Sequence, residues 1–256
     1  YVIACSSNSS DMDVAFNKGQ EDYWLIKISP AGIIQWQQNY GGSLSDRPSS
    51  LITTLDGGFL ISGTSSSNDM DVSGNHGADD FWIVKVDNTG TLMWQKCLGG
   101  SLSDECTSLI ATVDNNIVVS GYVQSLDGDV TNLRGMTDYW AAKLTPGGNL
   151  INARSLGGSM YDYCFAITSS PDNNYLLAGS TQSTDFDVTL NNGVDDFWVL
   201  KLKCLSANFT ASNDTVCQHQ PVFLTNYTVD ATVYSWLADN VFFNNTPNAS
   251  HVFHSP

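Results

Sequence analysis

Basic residues are scarce in this chain of 256 residues, in which ten lysines and arginines stand against 26 acidic residues for a net charge of −16. A surface of that charge repels phosphate backbones and anionic lipids, so nucleic acid is an unfavourable partner and cations are favourable ones. No run of about 18 apolar residues occurs, so no membrane insertion is predicted. The opening residues also lack the basic segment of a signal peptide, and we expect the chain to begin inside a longer protein.

Motifs for common catalytic and metal chemistry are also missing. The six cysteines include no CxxC pair, which argues against a zinc site of that kind. No phosphate-binding or dinucleotide-binding fingerprint occurs, and three of the four histidines lie in the last quarter of the chain, so no Ser-His-Asp triad is indicated. Charged residues are only 14% of the chain, and Ser, Thr, Asn, Gly and Asp are abundant. This composition is typical of a secreted β protein.

A unit of 58 residues recurs along the first four-fifths of the chain. The motif Asp-aromatic-Trp begins at Asp22, Asp80, Asp138 and Asp196, each 58 residues after the one before. Within the second copy, β-branched and aromatic runs at 80–87, 91–98, 105–113 and 117–123 are separated by Gly, Asn and Asp turns. Such runs predict four antiparallel strands in each unit.

Tandem four-stranded units without helices predict an all-β fold made of β-propeller blades, with a β-solenoid as the alternative. Trp82 and Val84 would face one neighbouring blade, and Phe81 and Ile83 the other. Lys85 lies among these apolar residues and is predicted to pair with a repeated aspartate. Residues 1–203 would hold three complete blades with a partial strand at each end. Three blades cannot close a ring, so we expect further blades upstream or an open array.

The period is lost at residue 204, and strands predicted at 207–211, 221–226, 232–237 and 251–253 indicate part of a β-sandwich over 204–256. A sandwich of this kind has about 100 residues, so this one is expected to be truncated. Two of the cysteines, Cys204 and Cys217, flank its start. In an oxidising compartment Cys97 and Cys106 could bridge one hairpin, and the alternative is that the cysteines are buried free thiols.

The repeat resembles a family of secreted bacterial and archaeal propellers with the pattern D-[FY]-W, then K-x-D-x-x-G, then GGS-x-x-D, then DGG. Residues 80–121 and their copies carry this pattern, with Asn152 in place of the second-strand Trp and Asn115-Asn116 in place of Gly57-Gly58. The tail resembles a PKD-type domain over 208–212, 216–217, 222–226, 234–236 and 247–253. Together they resemble large surface proteins that Bacteroidota export by the type IX route. The resemblance implies an extracellular or cell-surface location and a scaffolding or adhesive role.

Candidate metal ligands occur in every copy of the repeat, as Asp-x-Asp-Val with a further Asp eleven residues after the first. Carboxylates at i and i+2 of a tight loop converge, and several oxygen ligands are what calcium prefers, so the pattern predicts possible calcium sites. The alternative is structural, with aspartates capping turns while Val14, Val72, Val130 and Val188 fill the core. The predicted ligands are Asp11, Asp13, Asp22, Asp69, Asp71, Asp80, Asp127, Asp129, Asp138, Asp185, Asp187 and Asp196.

Paired acids also suggest glycoside hydrolysis, but catalytic residues should break the symmetry of a repeat, and these acids recur in each copy. The sequence therefore favours a non-enzymatic scaffold or adhesion module that binds a protein or glycan, or neighbouring domains of the same parent chain. The alternative is a carbohydrate-binding accessory domain of a secreted hydrolase. Tyr40, Tyr122 and Tyr161 are the predicted exposed aromatics for stacking on sugars.

Overall fold

The computed structural model describes residues 1–14 and 16–203 in full, and beyond them the backbone of five short strands. The chain divides into two compact units, Tyr1–Leu202 and Lys203–Pro256. Among the described residues no helix is long and apolar enough to cross a membrane. The strands of the first unit are β1 Val2–Ser7, β2 Asp22–Ile28, β3 Ile34–Tyr40, β4 Asp46–Thr53, β5 Phe59–Ser65, β6 Asp80–Val86, β7 Leu92–Leu98, β8 Asp104–Ala111, β9 Ile117–Val123, β10 Asp138–Leu144, β11 Leu150–Leu156, β12 Asp162–Ser169, β13 Tyr175–Thr181 and β14 Asp196–Leu202.

These strands form four antiparallel sheets, which we number in chain order. The first sheet is β1-β2-β3, the second β4-β5-β6-β7, the third β8-β9-β10-β11 and the fourth β12-β13-β14. The all-β class and the four-stranded antiparallel unit predicted from the sequence are confirmed. No sheet closes on itself in the part of the chain that the structure describes.

The sheets group the strands differently from the sequence-based division. Strand β6 pairs with β5 before it and β7 after it, so the long polar loop of residues 66–79 lies inside a sheet. The chain passes to the next sheet at the short Gly99-Gly100 turn instead. The first unit therefore holds two complete four-stranded sheets flanked by two of three strands, and not three complete ones. The long loop resembled a linker, but a two-glycine turn is sufficient to change sheets.

Each complete sheet is apolar on both faces because it packs between two others. Phe81 and Ile83 join a core with Trp140 and Ala142 of the third sheet. On the opposite face Trp82 and Val84 pack with the first sheet. The alternation of faces predicted along β6 is thus confirmed. Aromatic pairs recur at the interfaces, with ring centroids 4.6 Å apart for Tyr23–Trp82, 5.0 Å for Phe81–Trp140 and 4.6 Å for Tyr139–Trp198.

The lysine inside each repeat pairs with an aspartate of the adjacent hairpin, as predicted. Lys85 is 7% exposed, and its Nζ lies 2.9 Å from Asp56 Oδ1. Lys143 makes the equivalent ion pair with Asp114 at 2.8 Å. Hydrogen bonds from Thr54 and Lys85 hold the pKa of Asp56 well below its usual range. These pairs tie the turn after one strand to the centre of its sheet.

The described cysteines are unpaired, so the predicted bridge between Cys97 and Cys106 is wrong. Cys97 ends β7 in the second sheet, whereas Cys106 lies on β8 in the third, and both are buried free thiols. Burial raises the pKa of the Cys106 thiol to about 12, so it stays protonated. Cys204 and Cys217 lie outside the described residues.

The second unit contains β15 Phe209–Ala211, β16 Pro221–Asn226, β17 Trp236–Ala238, β18 Val241–Asn244 and β19 Ala249–Val252. Strands β15, β16 and β19 form one antiparallel sheet, and β17 and β18 form a hairpin. The strand predicted at 221–226 is found at those residues, and those predicted at 207–211 and 251–253 overlap β15 and β19. The predicted motif residues Val216 and Cys217 lie outside the described part of the chain.

Candidate functional site

The predicted metal-binding aspartates lie mainly where consecutive sheets meet. We call each such place an aspartate junction, built from three aspartates around a glycine that ends one sheet. The first junction comprises Asp22, Asp46 and Asp71 around Gly41; the second Asp80, Asp104 and Asp129 around Gly99; the third Asp138, Asp162 and Asp187 around Gly157. Each junction is thus assembled from two sheets and the turn that connects them.

The glycine is required because two carboxylates flank it closely. A Cβ on Gly99 would lie 2.6 Å from Asp80 Oδ1 and 2.8 Å from Asp104 Oδ2. At Gly157 the corresponding distances, to Asp138 Oδ1 and Asp162 Oδ2, are both 2.6 Å. All four of these carboxylates are 0% exposed. The turn therefore brings two buried acids together in a way that any side chain would prevent.

The aspartate that starts the following sheet has its hydrogen bonds satisfied. Asp104 Oδ2 accepts a bond from the Gly100 N–H at 2.7 Å, and Oδ1 accepts one from the Gln124 N–H at 2.9 Å. Asp162 accepts bonds from Gly158 N–H at 2.7 Å, from the Ser183 hydroxyl at 2.9 Å and from the Thr181 hydroxyl. These carboxylates act as caps for backbone donors at the turn.

The aspartate from the preceding sheet has one oxygen without a partner. Oδ1 of Asp22, Asp80 and Asp138 is buried and makes no hydrogen bond. The other oxygen accepts the N–H of the residue four positions earlier, at 3.0 Å for His76 to Asp80 and 2.8 Å for Arg134 to Asp138. Burial, together with a neighbouring aspartate, raises the pKa of each of these three carboxyls to about 6.

The two aspartates of Asp-x-Asp turn toward the preceding junction. Asp69 Oδ1 accepts the Ser43 N–H at 2.8 Å, and Asp71 Oδ2 accepts the Gly41 N–H at 3.2 Å. The residue between them, Met70, has a φ of 56°, a left-handed conformation that makes the turn tight. The valine that follows is buried, at 1% exposure for Val72, as the structural alternative predicted.

The predicted calcium sets are therefore divided between junctions. Asp69 and Asp71 bind backbone donors of the first junction, while Asp80 lies in the second beside Gly99. Asp127 and Asp185 repeat the bond of Asp69, to Ser101 N–H and Ser159 N–H at 2.7 Å each. In the first and last copies Asp11 and Asp13 are exposed, and Asp196 accepts the Asn192 N–H. Across the described residues no group of three or more His, Cys, Asp or Glu side chains is arranged to hold a metal. Calcium binding by these aspartates stays a prediction.

A side chain that the sequence analysis did not select completes each junction. Lys18, His76 and Arg134 occupy one repeat position, 58 residues apart. Lys18 Nζ pairs with Asp71, and Arg134 Nη1 lies 2.8 Å from Asp187 Oδ2. In the second junction His76 Nδ1 lies 2.7 Å from Asp80 Oδ2, and its Nε2 lies 3.9 Å from Asp129 Oδ2. The period of the repeat was the signal that could have found them.

Two of the three tyrosines predicted to contact sugars meet in one surface cluster. We call Tyr122, Tyr161, Tyr163 and Phe165 the aromatic row. Tyr161 and Tyr163 have centroids 6.1 Å apart with ring planes 9° from parallel, and Phe165 follows at 6.5 Å and 6°. Tyr122 meets Tyr163 edge to face at 4.9 Å, and its hydroxyl donates to Glu105 Oε2 at 2.7 Å. Phe165 is 55% exposed.

Tyr40 does not belong to this cluster, and its prediction as an exposed aromatic is wrong. It is 4% exposed and its hydroxyl donates to the Gly90 carbonyl. Tyr40 follows the apolar alternation of β3, whose end is covered by the turn of the second sheet. A tyrosine at the end of a strand is therefore packed here, and only the geometry distinguishes it from Tyr161.

The aromatic row occurs at only one place among the repeats. Ser103, Glu105 and Thr107 stand at the equivalent positions one unit earlier, and Ser45, Arg47 and Ser49 two units earlier. Ser49 and Thr107 instead bond the backbone carbonyls of Cys106 and Cys164 on the next sheet, at 2.8 and 3.0 Å. The row thus breaks the symmetry that the aspartate junctions keep.

A scan against protein-family models and a search of the curated proteins find no match for this chain. Its function is therefore inferred from the geometry alone.

Proposed function

We propose that this chain is a non-enzymatic extracellular scaffold or adhesion module that uses the aromatic row to bind a glycan. Stacked sheets sharing buried cores form a rigid support, and rigid elements position a binding surface more accurately than loops do. The acids that suggested catalysis are engaged in capping the turns between sheets. They recur at every junction, so they do not form one distinct reactive site.

The observation that carries this proposal is the restriction of the aromatic row to a single repeat position. Structural residues of a repeat are expected in every copy, because every interface must be stabilised. Tyrosine presents an apolar ring face and a hydroxyl, which suits the mixed apolar and polar surface of a sugar. The Glu105 carboxylate beside Tyr122 adds a hydrogen-bond acceptor for sugar hydroxyls.

We also propose that the four sheets are blades of a β-propeller continued in a longer parent, with the second unit a PKD-type spacer. The stacking of both faces of each complete sheet supports this, as does the 58-residue period. A carbohydrate-binding accessory domain of a secreted hydrolase remains the second candidate, favoured by the same aromatic row. A catalytic domain encoded beside this chain in the parent gene would favour the second candidate; further PKD units would favour the scaffold.

The test is a glycan array probed with the wild-type chain and with Tyr163→Ser and Phe165→Ser. Base or sugar stacking on one aromatic ring is worth about 1–3 kcal/mol by the analogy of nucleobase stacking, so each variant should lose about tenfold or more in affinity. Met93→Ser is the matched control, since Met93 is exposed at 61% on a different sheet. Wild-type chain that binds no glycan, or binding that survives both substitutions, would refute the assignment of the row.

A further inference from the structure

The three aspartate junctions differ at the position that supplies positive charge. Lys18 and Arg134 carry permanent cations against Asp71 and Asp187 in the first and third junctions. His76 takes this place in the second junction, and a neutral imidazole supplies no charge. The second junction nevertheless gathers the same three aspartates, so it lacks a cation that its two neighbours contain.

The contacts of His76 show where a cation would lie. Its Nδ1 is 2.7 Å from Asp80 Oδ2, which as a buried carboxylate accepts the ring N–H. That tautomer leaves a lone pair on Nε2, which faces Asp129 Oδ2 at 3.9 Å. Asp129 Oδ2 is itself buried and makes no hydrogen bond, whereas the equivalent oxygens of Asp71 and Asp187 bind the cationic side chains. Two electron-pair donors therefore face each other with nothing positive between them.

The surroundings reinforce the demand for positive charge. Asp80 is 0% exposed and its Oδ1 has no partner. Asp104 and Asp127 add negative charge near Asp80 and His76 respectively. Cys97 is close to Asp80 and Asp129, but burial raises the pKa of its thiol so far that it does not act as a thiolate ligand. The donor set that faces the gap is one imidazole nitrogen and one carboxylate oxygen.

We propose that the second aspartate junction binds a divalent first-row transition metal ion, with Zn²⁺ as the reference ion, through His76 Nε2 and Asp129 Oδ2. Imidazole with carboxylate suits such ions, whereas calcium prefers sites made of oxygens alone. Asp80 orients the ring through Nδ1, which is the usual carboxylate–histidine–metal arrangement. Water completes the coordination, so the site is weaker than a four-ligand structural zinc site. The bound ion replaces the cation that Lys18 and Arg134 provide in the neighbouring junctions.

The experiment is isothermal titration of the full chain with ZnCl₂ and, separately, with CaCl₂. His76→Lys copies the first junction and should fold normally while losing one equivalent of bound Zn²⁺. Asp129→Asn should weaken that site by about tenfold or more, and Asp80→Asn by about 10–100-fold, as for loss of a partner that orients the ligand. The melting temperature of His76→Lys without metal checks that the substitution leaves the fold intact.

Lys18→His is the gain-of-function arm. It converts the first junction to the composition of the second, so the chain should bind one more Zn²⁺ than wild type. Equal zinc stoichiometry in wild type and His76→Lys would overturn the proposal, because the ion would then bind elsewhere, such as at the histidines and cysteines beyond residue 203. Absence of zinc binding would assign the missing charge to a proton on His76. Calcium binding that persists in His76→Lys, with no zinc equivalent lost, would point to the aspartates alone.

Discussion

Asp138→Asn should stabilise the first unit at neutral pH, although it removes a charge from the third junction. The rise in the Asp138 pKa from 3.8 to about 6 means that burial disfavours its ionised form. At about 1.36 kcal/mol per pKa unit, this corresponds to about 3 kcal/mol. Asparagine keeps an oxygen for the Arg134 N–H and places an NH₂ donor at the unpaired Oδ1 position, beside Asp162 Oδ2. We expect a gain of about 2 kcal/mol at pH 7.

Asp162→Asn is the matched control, because the same chemical change should there have the opposite sign. Asp162 accepts hydrogen bonds on both oxygens, so an NH₂ group would face existing donors. We expect a loss of about 1–3 kcal/mol. Urea unfolding followed by tryptophan fluorescence reports on the first unit, which contains six of the seven tryptophans. Destabilisation of both variants by similar amounts would refute the reasoning.

The same carboxyls set the pH dependence of stability. A raised pKa contributes stability that is complete below pH 3.8 and is lost as the pH rises through about 6. Each of the three raised carboxyls should contribute about 1.4 kcal/mol more at pH 5 than at pH 7, or about 4 kcal/mol together. Asp56, Asp114 and Asp172, whose pKa values are lowered, titrate below this window. Asp138→Asn should remove one third of the difference, and an unchanged pH profile would contradict the assignment.

Three further substitutions test the backbone and the cores, each by urea unfolding against wild type. Met70→Gly should stabilise by about 1 kcal/mol, because Met70 is 66% exposed and strained at a φ of 56°. Gly121→Ala should destabilise by about 1–3 kcal/mol, since its Cβ would lie 1.9 Å from the Glu105 carbonyl oxygen and 2.8 Å from the Phe81 ring. Val72→Ala should destabilise by about 2 kcal/mol by leaving a cavity between the first two sheets, and no loss would show that Val72 does not fill the core.

Local patterns in the amino-acid sequence were sufficient to predict the strands and their two apolar faces. Alternation along 80–86 depends only on the pleat of a strand, so Phe81 and Trp82 could be assigned to opposite faces without a partner in view. The pairing of Lys85 with a repeated aspartate and the burial of Val72 follow from similar short-range reasoning. A charged amine among apolar residues needs a counterion, and a valine in every copy of a polar loop indicates packing.

Only the tertiary structure decided which strands share a sheet and which aspartates gather at a junction. The grouping depends on whether the chain changes sheets at Gly99-Gly100 or in the long loop, and both segments have turn chemistry. Asp80 and Asp129 are brought together across two sheets by packing, and His76 acquires its role only from the contacts made there. Likewise Tyr40 is covered while Tyr161 joins the aromatic row, because burial is a property of the assembled sheets and not of one strand.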